Sequence, residues 1–386
     1  MLKVEKNKAE FIQNRSETNY FYQFNALRFF AALLVLVGHA EALRVSAGGK
    51  SLHSFDFFNN GQHAVTFFFV LSGFLITFLL LKERTKTQTV QVKSFYWKRI
   101  VRIWPLYFLL IFIGLVLQPI SIDLLNLPYE MPYSWQESSL LFIIFLPGII
   151  TFYFGNHLLE PLWSIGVEEW FYLIWGPLLK YVPKDLWKWI AILLLLKLAI
   201  NYLASHGVFP PLFAYVIKMM RFEAMFIGGL FACTFLTTSN LQNKLSKIRL
   251  VVLLISILSC FLIIFNGSFF DQFLLKIGVE DKSLNLFVCS IFFGLLIWSI
   301  AWKNKKTKFL DAPFIDYLGE ISYGIYMYHL LVVTVVWAIL QPLNLEFNLE
   351  TILYHLLGIA FTIGLAALSK TYFENPILKL KNRFSN

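Results

Sequence analysis

Ten runs of predominantly apolar residues, each close to the length of a bilayer crossing, leave this chain little choice of fold. They lie near 26–45, 62–81, 100–119, 162–180, 186–203, 212–236, 250–266, 284–302, 318–340 and 351–371. At 1.5 Å of rise per residue, about 20 such residues cover a hydrocarbon core of roughly 30 Å. Hydrocarbon offers backbone N–H and C=O groups no partner, so the runs are helical. The fold class is therefore all-α: a polytopic transmembrane helical bundle of about ten spans plus one re-entrant or interfacial segment. Charge content agrees, with 15% of residues charged against about 25% in soluble domains. The expected organisation is one membrane domain over 26–375, between a tail at 1–25 and another at 376–386.

The re-entrant segment is an eleventh apolar run, 139–154, which is short and carries Pro147 and Gly148 in its middle. Loop charge decides its status. The first strongly basic connection, 82–102, holds Lys82, Arg84, Lys86, Lys93, Lys98, Arg99 and Arg102. The positive-inside tendency places it in the cytoplasm. If 139–154 does not cross, the later basic loops around Lys180–Lys188, Lys244–Arg249 and Lys303–Lys308 fall on that same side, as do both termini. The net charge of +10 is thus a topology signal rather than a footprint for nucleic acid. Cys233, Cys260 and Cys289 fall inside apolar runs with no CxxC or Cys/His spacing, and read as small buried side chains. No HExxH, GxSxG or Walker-type loop occurs, so zinc-peptidase, serine-hydrolase and nucleotide-triphosphatase readings have no support. No metal is expected.

Ionisable residues inside spans are costly and mark pathways or sites. The first span holds Arg28 and His39. Eleven residues at about 100° each bring them to within roughly 20° of one face, about 16 Å apart along the axis. The plainer reading is an arginine snorkelling to the headgroups and a histidine bonded to a neighbouring carbonyl. Arg99 and Arg102 share a helix face at the cytoplasmic mouth of the third span. Such a pair suits a phosphate-bearing ligand, although ordinary positive-inside charge also explains it. Glu168 and Glu169 point roughly 100° apart in the fourth span and are expected in its outer third, with at least one facing a polar cavity. Arg221 and Glu223 at i, i+2 do not face each other on a helix, so each calls for a partner on another helix, and a structural ion-pair network is the favoured reading. Ser322 and His329, seven apart, lie on one face of the ninth span beside Tyr323. Interhelical hydrogen bonding explains His329 as readily as catalysis.

In this order, the clusters resemble the integral membrane acyltransferase family 3, which O-acylates bacterial surface glycans and some secondary metabolites. The resemblance rests on Arg28-x10-His39, on Val65 through Leu75, on Arg99-x-x-Arg102, on Trp163-Ser164 through Glu168-Glu169-x-Phe171-Tyr172, and on Ser322-Tyr323-x-x-Tyr326 through His329. Arg221, Glu223, Gly228, Glu374 and Pro376 also look like family positions. Together these cover about 25–376. The chain departs at Thr66, where members often carry Asp, and at Trp170, where many carry Gln. It resembles the stand-alone form without an appended hydrolase-like domain.

The resemblance implies a membrane O-acyltransferase in a bacterial cytoplasmic membrane. It would move an acyl group, acetyl first, from cytoplasmic acyl-CoA to a hydroxyl of a surface glycan, glycolipid or lipid-linked saccharide. Acyl-CoA is a co-substrate and no bound cofactor is expected. The expected partners are that donor, the hydroxyl acceptor and membrane lipid, with no nucleic acid. Arg28, Arg99 and Arg102 would bind the donor phosphates. His39 would be general base or transient acyl carrier, with Glu168 or Glu169 orienting an imidazole or the acceptor. Ser322, Tyr323 and His329 would line the same cavity. Two other readings use the same polar track: a transporter of a glycan or lipid-linked intermediate, for which no inverted repeat speaks, and a membrane scaffold, which would not need these ionisable groups.

Overall fold

The computed structural model describes residues 20–125, 130–182, 185–237, 242–276, 278 and 281–380. Most of the two expected tails, 1–19 and 381–386, lies outside them. Among the described residues the secondary structure is helical, with no strand. Nine helical stretches are long and apolar enough to cross a membrane. The helices that build the centre are α1 (Phe24–Ser46), α2 (Gly61–Thr87) and α3 (Val92–Phe112). A π-helical turn (Ile113–Leu117) continues α3 into α4 (Gln118–Leu125). The apolar run 139–154 folds as two short helices, α5 (Trp135–Ile143) and α6 (Gly148–Phe154), broken at Phe145–Pro147. Neither has the roughly 20 residues a crossing needs.

Helix α7 (Leu162–Tyr181) has the length of a span but carries the glutamate pair. It is followed by α8 (Leu186–Ser205), α9 (Pro211–Met219) and α10 (Phe222–Thr237). The expected continuous span 212–236 is thus two helices with a break at Met220–Arg221. Beyond lie α11 (Gln242–Phe265), α12 (Gly267–Lys276) and α13 (Lys282–Lys303). They are followed by α14 (Pro313–Glu320), α15 (Ser322–Leu340) and α16 (Phe347–Ser369).

Packing in lipid depends on close backbone approach more than on burial of apolar surface. The tightest crossing, α2 on α10, shows this. A Cβ on Gly228 would sit 2.0 Å from the Val70 carbonyl oxygen, and one on Gly73 2.1 Å from that of Met225. Only hydrogen fits at either position. Around this crossing α1, α2 and α15 pack together, α14 lies on the Arg28 end of α1, and α16 covers α15.

A buried ionic cluster that the sequence reading did not anticipate ties the other end of α1 to α16. The Arg44 guanidinium contacts Glu41 at 3.1 Å and Glu350 at 2.8 Å and donates to Thr351 Oγ1. It lies over the rings of Trp337, Phe347 and Tyr354. Glu41 also accepts from Ser51 Oγ and the Leu52 amide. Arg44 and Glu41 are both fully buried. Breaking such a pair from one side strands a buried charge. Arg44→Ala is therefore expected to lower stability by about 3–5 kcal/mol, read as a reduced unfolding midpoint of the protein in detergent.

Candidate active site

The polar residues of the central helices sort into two groups along α1. At its Arg28 end, a cavity of about 170 Å³ is lined by Arg28, Arg99, Arg102, Glu168, Ser322 and Tyr323. Each side chain arrives by helix periodicity: α3 presents Arg99 and Arg102 three residues apart, and α15 presents its first two residues. Glu168 accepts from Ser72 Oγ at 2.6 Å and from the Tyr172 hydroxyl at 2.7 Å. Ser322 donates to the Gly319 carbonyl and Tyr323 to that of Ile103. Among the described residues the three guanidiniums have no ion pair within 4 Å. Arg99 is held instead over the rings of Phe95 and Tyr172, 5.7 Å from each centroid, and its Nε is buried without a partner.

The expected position of the glutamates needs correcting. Glu168 lies with the arginines, in the cavity at the Arg28 end, and not in an outer third beside His39. Helix α7 begins at Leu162, itself only 1% exposed, so a residue six positions on is already deep. Its neighbour points the other way: Glu169 accepts from Trp104 Nε1 at 3.0 Å, and its second oxygen is buried without a partner. Neither carboxylate orients an imidazole.

His39 is oriented by another imidazole. His329, fully buried on α15, places Nε2 3.1 Å from His39 Nδ1, while its own Nδ1 faces the Tyr326 carbonyl. A carbonyl only accepts, so His329 carries its hydrogen on Nδ1 and its Nε2 is an acceptor. His39 must then carry hydrogen on Nδ1, which also points at the Val35 carbonyl at 3.1 Å. The plainer reading of His39, a bond to a nearby carbonyl, is thus present as well. What remains is His39 Nε2, a lone pair with no protein partner among the described residues. The Tyr326 hydroxyl meets Ser164 Oγ at 2.7 Å, and both residues line the arginine cavity. The residues expected in one cavity are therefore divided: Ser322 and Tyr323 belong to the arginine cavity, and His329 to the histidine pair.

Beyond His39, away from the arginines, two cavities meet. One, about 660 Å³, is walled largely by apolar side chains such as Leu117, Ile122, Leu330 and Val335. The other, about 500 Å³, is polar and includes His53, Gln62, His63, Asp271, Lys282 and Asn285. His39 and Glu160 line both, and Val65 lines both the polar cavity and the arginine cavity. The sequence reading missed Glu160. The available signal was a lone carboxyl between the apolar stretches 139–154 and 162–167.

For Arg221 and Glu223 the expected ion-pair network with partners on other helices is present, and one point is corrected: the two also meet each other. Arg221 sits in the break before α10, off helical geometry, so its Nε reaches Glu223 Oε1 at 2.9 Å. Lys197 approaches the other Glu223 oxygen at 3.5 Å, and Arg221 donates to Thr66 Oγ1 at 3.1 Å. Thr66 thus supplies an acceptor in this buried network.

A family model described as an acyltransferase domain matches residues 21–370. The chain is 29% identical to the peptidoglycan O-acetyltransferase OatA of Listeria monocytogenes over 96% of its own length and 58% of the relative's. It is 27% identical to the putative peptidoglycan O-acetyltransferase YrhL of Bacillus subtilis, over 93% and 55%. It is 24% identical to the O-acetyltransferase OatA of Staphylococcus aureus, over 93% and 57%. The chain spans less than three-fifths of the length of these relatives. No solved structure matches it.

Proposed function

This chain belongs to that acyltransferase family, and we propose that it is a membrane O-acyltransferase carrying an acetyl group from acetyl-CoA to a hydroxyl of a cell-envelope glycan. The observation that carries this reading is the free Nε2 of His39, backed by His329 where two cavities meet, one of which shares Val65 with the cationic cavity. Three guanidiniums without an ion pair form a receptor for an anion, and Arg binds phosphate oxygens bidentately. The basic loops at that end of the bundle favour the cytoplasmic side, where acyl-CoA is made, with both termini on that side.

The donor's thioester then lies toward His39, and the acceptor hydroxyl comes from the opposite face. His39 Nε2 takes the hydroxyl proton as the oxygen attacks the thioester carbonyl carbon. The new C–O bond replaces the C–S bond, and the proton passes from His39 to the departing CoA thiolate. His329 Nε2 accepts from His39 Nδ1–H throughout. It holds the tautomer that leaves Nε2 basic and supports the imidazolium while the proton is in transit. The relatives named for peptidoglycan O-acetylation support a glycan acceptor and acetyl as the group moved. The test is transfer of label from [¹⁴C]acetyl-CoA to soluble oligosaccharides by the purified chain in lipid nanodiscs. Label in the sugar supports the reading. Release of neither CoA nor acetylated product would remove it.

A further inference from the structure

We infer that the polar cavity beyond His39 is the acceptor's saccharide subsite, and that Glu160 holds the attacking hydroxyl against His39. This rests on the acyltransferase reading above and goes further, to the class of acceptor and a residue not assigned so far.

The two cavities that reach His39 differ in chemistry. The wall of the larger is mostly aliphatic, with Leu117 and Val335 exposed at its edge, and its polar groups, among them Gln118, Ser121 and Asn156, are spread between aliphatic side chains. The other, at about 500 Å³, lies within the roughly 300–1,000 Å³ of small-ligand sites. Its side chains both donate and accept: the carboxamides of Asn59, Gln62 and Asn285, the carboxyls of Asp271 and Glu160, and the Lys282 ammonium. Sugars present hydroxyls and amides that alternate between donor and acceptor, and such side chains match them. Trp163 adds an indole, a flat apolar face of the kind that covers the C–H side of a sugar ring. Asn285 Nδ2 donates to Asp271 Oδ1, which fixes the carboxylate at the wall.

Glu160 and His39 both line this cavity. The Glu160 carboxyl has no hydrogen bond or ion pair among the described residues. The adjacent imidazole does not supply one, because His157 is engaged by the Tyr133 hydroxyl at 3.1 Å and faces Thr151 Oγ1 at 3.3 Å. Burial lowers His157 to about 4 and leaves it neutral near pH 7. Burial also pushes Glu160 up to about 7. The half-buried carboxyl is left without a protein partner among the described residues, and it lines the space where the acceptor hydroxyl must stand for its proton to reach His39 Nε2.

The test uses the whole chain in nanodiscs, acetyl-CoA, and the N-acetylglucosamine tetramer as probe. Turnover is measured against both substrates, and tetramer binding without donor is measured by calorimetry. Asp271→Ala and Asn285→Ala are expected to weaken tetramer binding and raise its KM about tenfold, roughly one good hydrogen bond, with the KM for acetyl-CoA unmoved. Glu160→Gln is expected to lower kcat about 100-fold with tetramer binding kept within about twofold, as expected of a group that acts at the reacting atoms. Unchanged tetramer binding and turnover in these variants, in a wild type that acetylates the tetramer, would overturn the inference and leave the acyltransferase reading standing. A shift of the acetyl-CoA KM equal to that of the sugar would overturn it too, by showing a structural role. A wild type that binds the tetramer in this cavity yet never acetylates it would sink the acyltransferase reading instead. A wild type that acetylates another hydroxyl compound and does not bind the tetramer would refute the saccharide assignment.

Discussion

His39→Ala is expected to lower acetyl transfer by about 10³-fold or more while the protein still folds. General-base catalysis alone contributes roughly 10²–10⁴-fold, and in the proposed mechanism the same ring also returns the proton to the leaving thiolate. The fold does not depend on it. His39 is half-buried and, among the described residues, bonds only a carbonyl of its own helix and His329. Its removal strands one buried acceptor, His329 Nε2, at a cost of about 1–3 kcal/mol. Unfolding midpoint and detergent behaviour should therefore stay close to wild type while acetylated product disappears. Wild-type transfer by His39→Ala would remove the residue from the mechanism. The same assay separates the two roles that the sequence left open for His39. An acyl carrier would release CoA in a burst before any acceptor is added. A general base releases none, and that is the expected result. His329→Ala should lower kcat and leave both KM values in place, because it frees the His39 ring to turn without touching either substrate.

The legible part of this site is what helix periodicity can carry. Arg28 and His39 on one stripe of α1, and Arg99 beside Arg102 on α3, follow from spacing alone, because residues of one helix share a rigid frame. The overall bundle was legible for a related reason: bilayer thickness sets the length of each apolar run. What was not legible depends on contacts between helices. The partner of His39 is 290 residues away in the chain, and nothing within α15 distinguishes His329 as an orienting group from His329 as a packing group. The glutamates were placed too far out because the depth at which α7 begins depends on how the segment 139–161 folds inward, which hydropathy does not report. Arg221 and Glu223 were set apart by assuming one continuous helix, and the break at Met220–Arg221 carries no proline or glycine to announce it. Glu41 and Arg44 at i, i+3 could have been found by the rule that located Arg99 and Arg102. At the end of a span, though, charge is ordinary, and the spacing alone does not mark them as a buried cluster.

The double substitution Arg99→Ala with Arg102→Ala is expected to raise the KM for acetyl-CoA by about 10²–10³-fold, with kcat at saturating donor changing far less. A hydrogen bond to a charged group is worth about 1.5–3 kcal/mol, so two guanidinium contacts on phosphate account for a loss of that order. The size of the effect follows from how the arginines are held. No carboxylate neutralises them in an ion pair, and Arg99 is braced by the rings of Phe95 and Tyr172, so the site is organised before a ligand arrives. Three like charges around one cavity also repel one another while it is empty, and an arriving polyanion relieves that repulsion as it binds. Two consequences follow that a merely structural role would not produce. The unliganded double variant should unfold close to the wild-type midpoint, because the repulsion that substitution removes offsets the lost ring contacts of Arg99. The defect should also depend on the donor's phosphates. With an acetyl thioester of N-acetylcysteamine, which carries the reactive end of the donor and no phosphate, the double variant and wild type should show the same KM. An equal rise with both thioesters would mean that these residues shape the passage to His39 rather than grip the nucleotide end of CoA. A rise confined to acetyl-CoA would place the phosphates at Arg99 and Arg102, and would thereby fix the end of the helical bundle from which the acyl group enters.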